Sequence, residues 1–243
     1  MTPFYGRRIR SAAQRVLPVL FAGRGVECPC CGGAFRAFVP RYRGDALCPR
    51  CLSLGRHRLL WLYLEREVGI GGTPARVLHF APEEGIERRL RALQSLSYVS
   101  VDLDPSSIAS VRADITAIPF PDGSFDIVLC SHVLEHVLDD GGAMSELHRV
   151  LRPGGVLYSL HPVDEDRAET FEDPSATSAS DRRRLFGQHD HVRIYGRDFV
   201  GRLEQAGFAV GREWYGRSLT QEAIRRYRPG DDPIYVCTKV NSE

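Results

Sequence analysis

Lysine is almost missing from this chain of 243 residues: Lys239 is the single one, and arginine carries nearly all of the positive charge. Long hydrophobic runs are missing as well. None approaches the ~18 residues that a helix needs to cross a bilayer, which excludes a helical membrane span and points to a cytoplasmic protein. The stretch "SAAQRVLPVLFAG" is broken by Arg15 and Pro18, which suits a short helix better than a signal peptide. A twin-arginine signal at Arg7 and Arg8 is the alternative. Net charge is close to absent at +1, yet its distribution is uneven, since residues 1–60 hold eleven arginines against only Glu27 and Asp45. The basic end is where an anionic partner would dock, unless the arginines reflect a coding bias.

What is there begins with cysteine. Five of the seven fall between positions 28 and 51, while Cys130 and Cys237 stand alone in apolar runs, as buried free thiols do. "CPCCGG" and "CPRC" supply two C-x-x-C pairs, Cys28 with Cys31 and Cys48 with Cys51. Two such turns can aim four thiolates at one tetrahedral Zn²⁺, and a closed four-sulfur site holds a fold rather than performing chemistry. Cys30 is the odd sulfur, because the C-P-x-C-G pattern favours its neighbours. A redox dithiol pair or disulfides are the alternatives.

"SLGRHRLLWLYLEREVG" has apolar residues at helical spacing and reads as a connecting helix, with His57 on its polar face or as a fifth ligand candidate. From residue 75 onward, strand signals alternate with helix signals. "ARVLHF", "SYVSVD", "FDIVLC", "GGVLYSL", "GFAVGREW" and "PIYVCTKV" read as strands; "EEGIERRLRAL", "GGAMSELHRVL" and "GRDFVGRLEQA" read as helices. Such alternation implies an α/β fold with a doubly wound, mostly parallel sheet covered on both faces, and ligands at the carboxyl ends of its strands. The expected organisation is a basic N-terminal arm over 1–26, a zinc ribbon over 27–52, the connecting helix over 53–74, and the main domain over 75–243.

One turn at such a strand end is unusual. In "RVLHFAPEEGIERRL", residues 76–90, a nucleotide-type cofactor would usually be held by several glycines, and only Gly85 is in that style. The block "ADITAIPFPDGSFDIVLCSHVLEHVLDDGGAMSELHRVLRPGGVLYSL" nonetheless resembles class I S-adenosylmethionine-dependent methyltransferases, in particular the group of quinone-biosynthesis and small-molecule enzymes, over about residues 75–240. The resemblance implies a Rossmann-like, seven-stranded sheet with a reversed last strand, S-adenosylmethionine as methyl donor, and no metal requirement for transfer.

Carried over residue by residue, His79 stands where the family has an acidic residue, Ala81 and Glu83 replace the first two glycines of G-x-G-x-G, and Gly85 remains. Glu83 or Glu84 could replace the missing acid by accepting the cofactor's ammonium, or both could be helix-start residues favoured by the macrodipole. Asp102, followed by Leu103, ends a strand and matches the family's ribose-binding acid, since a carboxylate offers two acceptor oxygens. Asp114 matches the residue that accepts the adenine amino group, with Ile115 packing beside it. Only eleven residues separate these two aspartates, which predicts a short loop there in place of the usual helix. Ser131 and His132 match the segment under the cofactor, with Glu135 and His136 expected to fix that loop.

The acceptor should be read by the long segment at about 162–193, a candidate lid. Its end gathers Gln188, His189, Asp190, His191, Arg193 and Tyr195. Methyl transfer mainly positions a nucleophile and, for an oxygen or a protonated nitrogen, removes its proton, a task suited to histidine. His189 or His191 is therefore the first candidate base, with Asp190 orienting it, Arg193 holding an anionic group of a small-molecule substrate, and His132 as the second candidate. The H-x-R-x-Y run as a structural element, or H-D-H as a metal site, are the competing readings. Three functions stay open at this point: a small-molecule or sugar-type methyltransferase, an RNA methyltransferase docking through the Arg-rich ribbon, and a non-catalytic binding module.

Overall fold

The computed structural model describes residues 14–41 and 45–240. The expectations for residues 1–13, the twin arginines among them, lie outside the described residues. The chain divides into two compact units, one within residues 1–74, 82–97 and 214–233, the other within 75–81, 98–213 and 234–243.

The second unit is built on a seven-stranded sheet. Its strands in chain order are β1 (Ala75–Phe80), β2 (Leu96–Asp102), β3 (Val111–Arg112), β4 (Phe125–Ser131), β5 (Leu151–Leu160), β6 (Phe208–Glu213) and β7 (Ile234–Lys239), lying side by side as β6-β7-β5-β4-β1-β2-β3. The pairs β1–β4, β4–β5 and β2–β3 are parallel, whereas β7 runs antiparallel to both β5 and β6. The doubly wound sheet with a reversed last strand is as expected. Short β3 and the helix-free stretch before it match the short loop expected between Asp102 and Asp114.

Sequence explains the packing. The β-branched and aliphatic residues Leu78, Val101, Val128 and Leu157 are fully buried in one cluster, joined by Ala143, Met144, Leu147 and Val150 of the helix Asp140–Val150. That spacing places one apolar stripe on the sheet. Each fully buried leucine contributes on the order of 1.5–3 kcal/mol. The helix begins where the Asp139 carboxylate accepts the Gly142 N–H.

The first unit holds the cysteine-bearing segment, the helices Gly55–Arg66, Glu84–Ala92 and Gln221–Tyr227, and two short antiparallel pairs, Ala22–Cys28 with Gly33–Phe35 and Val39–Pro40 with Ala46–Leu47. Arg58 is its central brace. Only 1 % exposed, it donates to the carbonyls of Ala46, Ser53, Tyr227 and Arg228 and lies 4.2 Å over the Phe38 ring. No helix among the described residues is long and apolar enough to cross a membrane.

Candidate active site

Because β1, β2, β4 and β5 are parallel, their carboxyl ends share one edge, and the second unit gathers most of its sequence-predicted residues there. His79, near the end of β1, is fully buried and its Nδ1 lies 2.9 Å from the Tyr98 hydroxyl. Ala81 follows at φ +47°, a left-handed conformation that favours glycine, and its N–H donates to the Val101 carbonyl. Asp102 ends β2; one of its oxygens accepts the Asp104 N–H at 3.0 Å. Asp114 accepts both the backbone N–H and the hydroxyl of Thr116, Ile115 is buried, and Leu103 is exposed.

Ser131 ends β4, and His132 follows it. His132 sits at φ +54°, strained for a side-chain-bearing residue, and its N–H donates to the Leu160 carbonyl at 2.8 Å. Its Nδ1 is 3.1 Å from Glu135 Oε1 without forming a hydrogen bond, and its Nε2 is buried with no hydrogen-bond partner among the described residues. Glu135 is 1 % exposed. Its second oxygen accepts from His161 Nδ1 at 2.8 Å, and His161 Nε2 lies 2.7 Å from the Ser159 hydroxyl. Burial opposes ionisation of Glu135, but the flanking His132 and His161 outweigh it and hold the carboxyl well below the usual range. Burial lowers the His161 pKa from its ordinary value against the pull of Glu135.

The cluster at 188–195 resolves into different roles. His189 is half exposed, with Nδ1 3.6 Å from Asp190. His191 is buried, its ring perpendicular to that of His136 at 4.7 Å, and burial lowers its pKa. The Asp190 carbonyl lies 3.2 Å from His136 Nδ1. Arg193, 3 % exposed, spends its donors inside the chain: on Glu172, on the carbonyls of Leu134, Val137 and Leu138, and it lies 3.6 Å from Asp140. Tyr195 donates to Asp140. These contacts favour the structural reading of H-x-R-x-Y. Glu135, His136 and His191 also bring one ligand-type atom each within 4.8 Å of one another, but both Glu135 oxygens already face histidines. Sequence reasoning missed the Glu135–His161 pair, since 26 positions separate the partners.

In the first unit, Cys28, Cys31, Cys48 and Cys51 converge, with Cys28–Cys51 and Cys31–Cys48 sulfurs 3.6 and 3.7 Å apart. Four sulfurs at about 2.3 Å from one Zn²⁺ would stand about 3.8 Å from each other. The two turns match: Gly32 and Leu52, each next after the second cysteine of its pair, both take the left-handed conformation, at φ +67° and +59°. Cys30 lies outside the quartet, its thiol 3.5 Å from the His57 carbonyl. His57 accepts the Leu54 N–H and stands 3.7 Å from Glu83. Gly85 packs against this segment, since a Cβ there would lie 3.0 Å from the Cys30 Cβ and 3.3 Å from the Cys51 sulfur.

A methyltransferase-domain family model matches residues 76–159. The demethylmenaquinone methyltransferase of Beutenbergia cavernae is 30% identical over 201 residues, which cover 73% of this chain and 82% of that protein. The chain belongs to the S-adenosylmethionine-dependent methyltransferases. Other curated relatives are spanned less fully; a ubiquinone/menaquinone biosynthesis C-methyltransferase of Geobacter sp. is 31% identical over 145 residues, 52% of this chain and 60% of that one. The first matched relatives are spanned over only 34% to 63% of their own length. Among solved structures, the YcgJ protein of Bacillus subtilis shares the fold at a TM-score of 0.51 and 17% identity, over 77% of this chain and all of that one. In this methyltransferase, Asp102 ends β2 and Asp114 follows two residues after β3.

Proposed function

We propose that this protein transfers a methyl group from S-adenosylmethionine to a small-molecule acceptor. The observation that carries the reading is the position of Asp102 and His132 at strand ends of the sheet, with His132 Nε2 buried and without a partner among the described residues. The residues fit the cofactor: Asp102 keeps an oxygen for the ribose hydroxyls, Asp114 and Ile115 would hold the adenine, and Ala81 leaves the turn open for close backbone approach. Gly85 is left out of the cofactor set, because its missing side chain is used against Cys30 and Cys51. When bound, the cofactor supplies a methyl carbon on a positively charged sulfur, which leaves with its bonding pair kept on the sulfur. His132 then stands ready to take the acceptor's proton, and Glu135 to stabilise the imidazolium that results. His189, exposed on the 162–193 segment, is the residue there that would meet an entering acceptor.

The names of the quinone C-methyltransferase relatives support a small aromatic or enol-type acceptor. Structural zinc on Cys28, Cys31, Cys48 and Cys51 completes the proposal. The sulfur spacing supports it, as does Arg58, a buried cation whose hydrogen-bond partners among the described residues are carbonyls, beside a cluster that four thiolates would make anionic.

Calorimetric titration with S-adenosylhomocysteine tests the reading. Asp102→Ala should weaken binding about 10- to 100-fold, the worth of charged hydrogen bonds of about 1.5–3 kcal/mol. No binding by the wild-type protein, or equal binding by the variant, would remove the reading.

A further inference from the structure

His132 is already assigned a proton-accepting role above, and the question that remains is what fixes its protonation state. The imidazole has two nitrogens, and only one tautomer leaves Nε2 with a lone pair. Three side chains behind it form a directed series. The Ser159 hydroxyl is 2.7 Å from His161 Nε2, His161 Nδ1 is 2.8 Å from Glu135 Oε2, and Glu135 Oε1 is 3.1 Å from His132 Nδ1.

Each member constrains the next. The carboxylate of Glu135 can only accept, so His161, which it bonds, must present N–H at Nδ1, and an N–H on His132 Nδ1 is the proton that would face Oε1 across 3.1 Å. His161 is then left with a bare Nε2, which the Ser159 hydroxyl satisfies by donating. His132 is left with a bare Nε2 that nothing in the described chain satisfies. Buried polar atoms without partners are rare enough to call for a ligand.

We propose that Glu135, held in turn by His161 and Ser159, is a positioning residue that locks His132 in the Nδ1–H tautomer and aims its Nε2 lone pair at the acceptor, an inference that rests on the methyltransferase reading above. As the acceptor's electron pair forms the new bond to carbon and the carbon–sulfur pair stays on sulfur, the proton on the acceptor atom moves to Nε2. The carboxylate then faces a positive imidazolium across Nδ1. Such a base serves acceptors that lose a proton on methylation, hydroxyls and enol- or phenol-type carbons, rather than tertiary amines or thioethers. The strained φ of His132 fits the same purpose, since the surrounding contacts hold it in place. The other titratable groups facing this pair are His136 and His191 with their neighbour Asp190, and Tyr195 stands beside His161.

The test is nitrogen NMR of the full-length, ¹⁵N-histidine-labelled protein saturated with S-adenosylhomocysteine, with His132→Asn used to assign the signal. The expected wild-type result is a neutral His132 protonated at Nδ1. Glu135→Gln should shift the ring toward a mixture of tautomers, and Glu135→Asp should restore part of the Nδ1–H signature, whereas a purely structural Glu135 would leave the tautomer unchanged in any folded variant. A wild-type His132 protonated at Nε2 would overturn the inference outright, and this holds even if Glu135→Gln fails to fold. Failure of S-adenosylhomocysteine to bind at all would instead remove the methyltransferase reading, and calorimetry on the same samples tells the two failures apart.

Discussion

Gly85→Ala is the substitution whose outcome the structure constrains most tightly. Gly85 is the second residue of the helix Glu84–Ala92, where alanine would ordinarily be welcome; replacing a helical glycine gains up to about 1 kcal/mol. Here the added methyl would stand 3.0 Å from the Cys30 Cβ and 3.3 Å from the Cys51 sulfur. Cys30 is 1 % exposed and Cys51 4 %, so neither has room to retreat, and a bound metal would hold the Cys51 sulfur still. Overpacking of this kind costs about 1–3 kcal/mol. The cost should outweigh the helix gain, leaving the variant less stable by up to about 2 kcal/mol and lowering Tm by up to about 8 °C at this chain length. Gly201→Ala is the control: it also lies in a helix, a Cβ there would meet nothing within 4 Å, and it should be neutral or stabilising. Thermal unfolding of both variants, with zinc release to a colorimetric chelator measured alongside, decides the matter. Gly85→Ala should also release the metal more readily. If the two variants behaved alike, the reading of Gly85 as a packing glycine of the cysteine segment would be wrong.

Zinc analysis should find about one ion per chain, and chelation should lower Tm, because the four thiolates otherwise repel one another in a buried site; an unchanged Tm with the metal removed would refute a structural role. Arg193→Met should cost about 3–5 kcal/mol in urea unfolding, since it leaves the carbonyls of Leu134, Val137 and Leu138 without their donor and removes a cation from Asp140. Arg193→Lys should recover only a fraction, because an ammonium cannot span three carbonyls as a planar guanidinium does. On acidification, stability should fall in two stages. His148, His161 and His191 are all lowered from 6.5 by burial, so the unfolded chain takes up protons first and stability declines as pH drops below about 6.5. Glu135, lowered from 4.5, adds a second decline below about pH 4.5. Urea midpoints that stay flat from pH 8 to 5.5 would contradict the first stage.

The strands and main helices were legible because each announces itself locally. "FDIVLC" is an apolar run bounded by turn residues, and "GGAMSELHRVL" repeats its apolar positions at helical spacing, so β4 and the helix Asp140–Val150 need no distant information. The place of Asp102 at the end of β2 was readable for the same reason. What stayed hidden depends on partners far apart in the chain. Arg58 is satisfied by carbonyls 169 and 170 residues away, at Tyr227 and Arg228, so residues 214–233 gave no sign of belonging to the cysteine-bearing unit. Glu135 read as a loop-fixing residue because His161, its partner, lies on a different strand end. The packing of Gly85 against Cys30 and Cys51 was hidden because spacing alone does not show which distant side chains a glycine approaches.

The near-absence of lysine acquires a physical meaning from these contacts. Arg58, Arg89, Arg149 and Arg193 each donate to at least two backbone carbonyls: Arg89 to Pro29 and Cys30, Arg149 to Ile118 and Phe120, and the other two to the sets already described. A guanidinium suits this work because its five donors lie in one plane and it is less strongly hydrated than an ammonium, so burying it costs less. Arg36 and Arg50 in the cysteine-bearing unit lie over the rings of Phe21 and Phe35. Part of the basic excess in residues 1–60 is therefore spent on holding loops and covering rings, which weakens its value as a footprint for RNA. An RNA acceptor would need phosphate contacts from the arginines that remain, and each such contact would make affinity fall with salt. Filter binding of a structured RNA at about 50 and 200 mM salt separates the cases: weak binding at the lower concentration leaves the arginines to their internal roles, while tight binding lost at the higher one would return RNA as the acceptor.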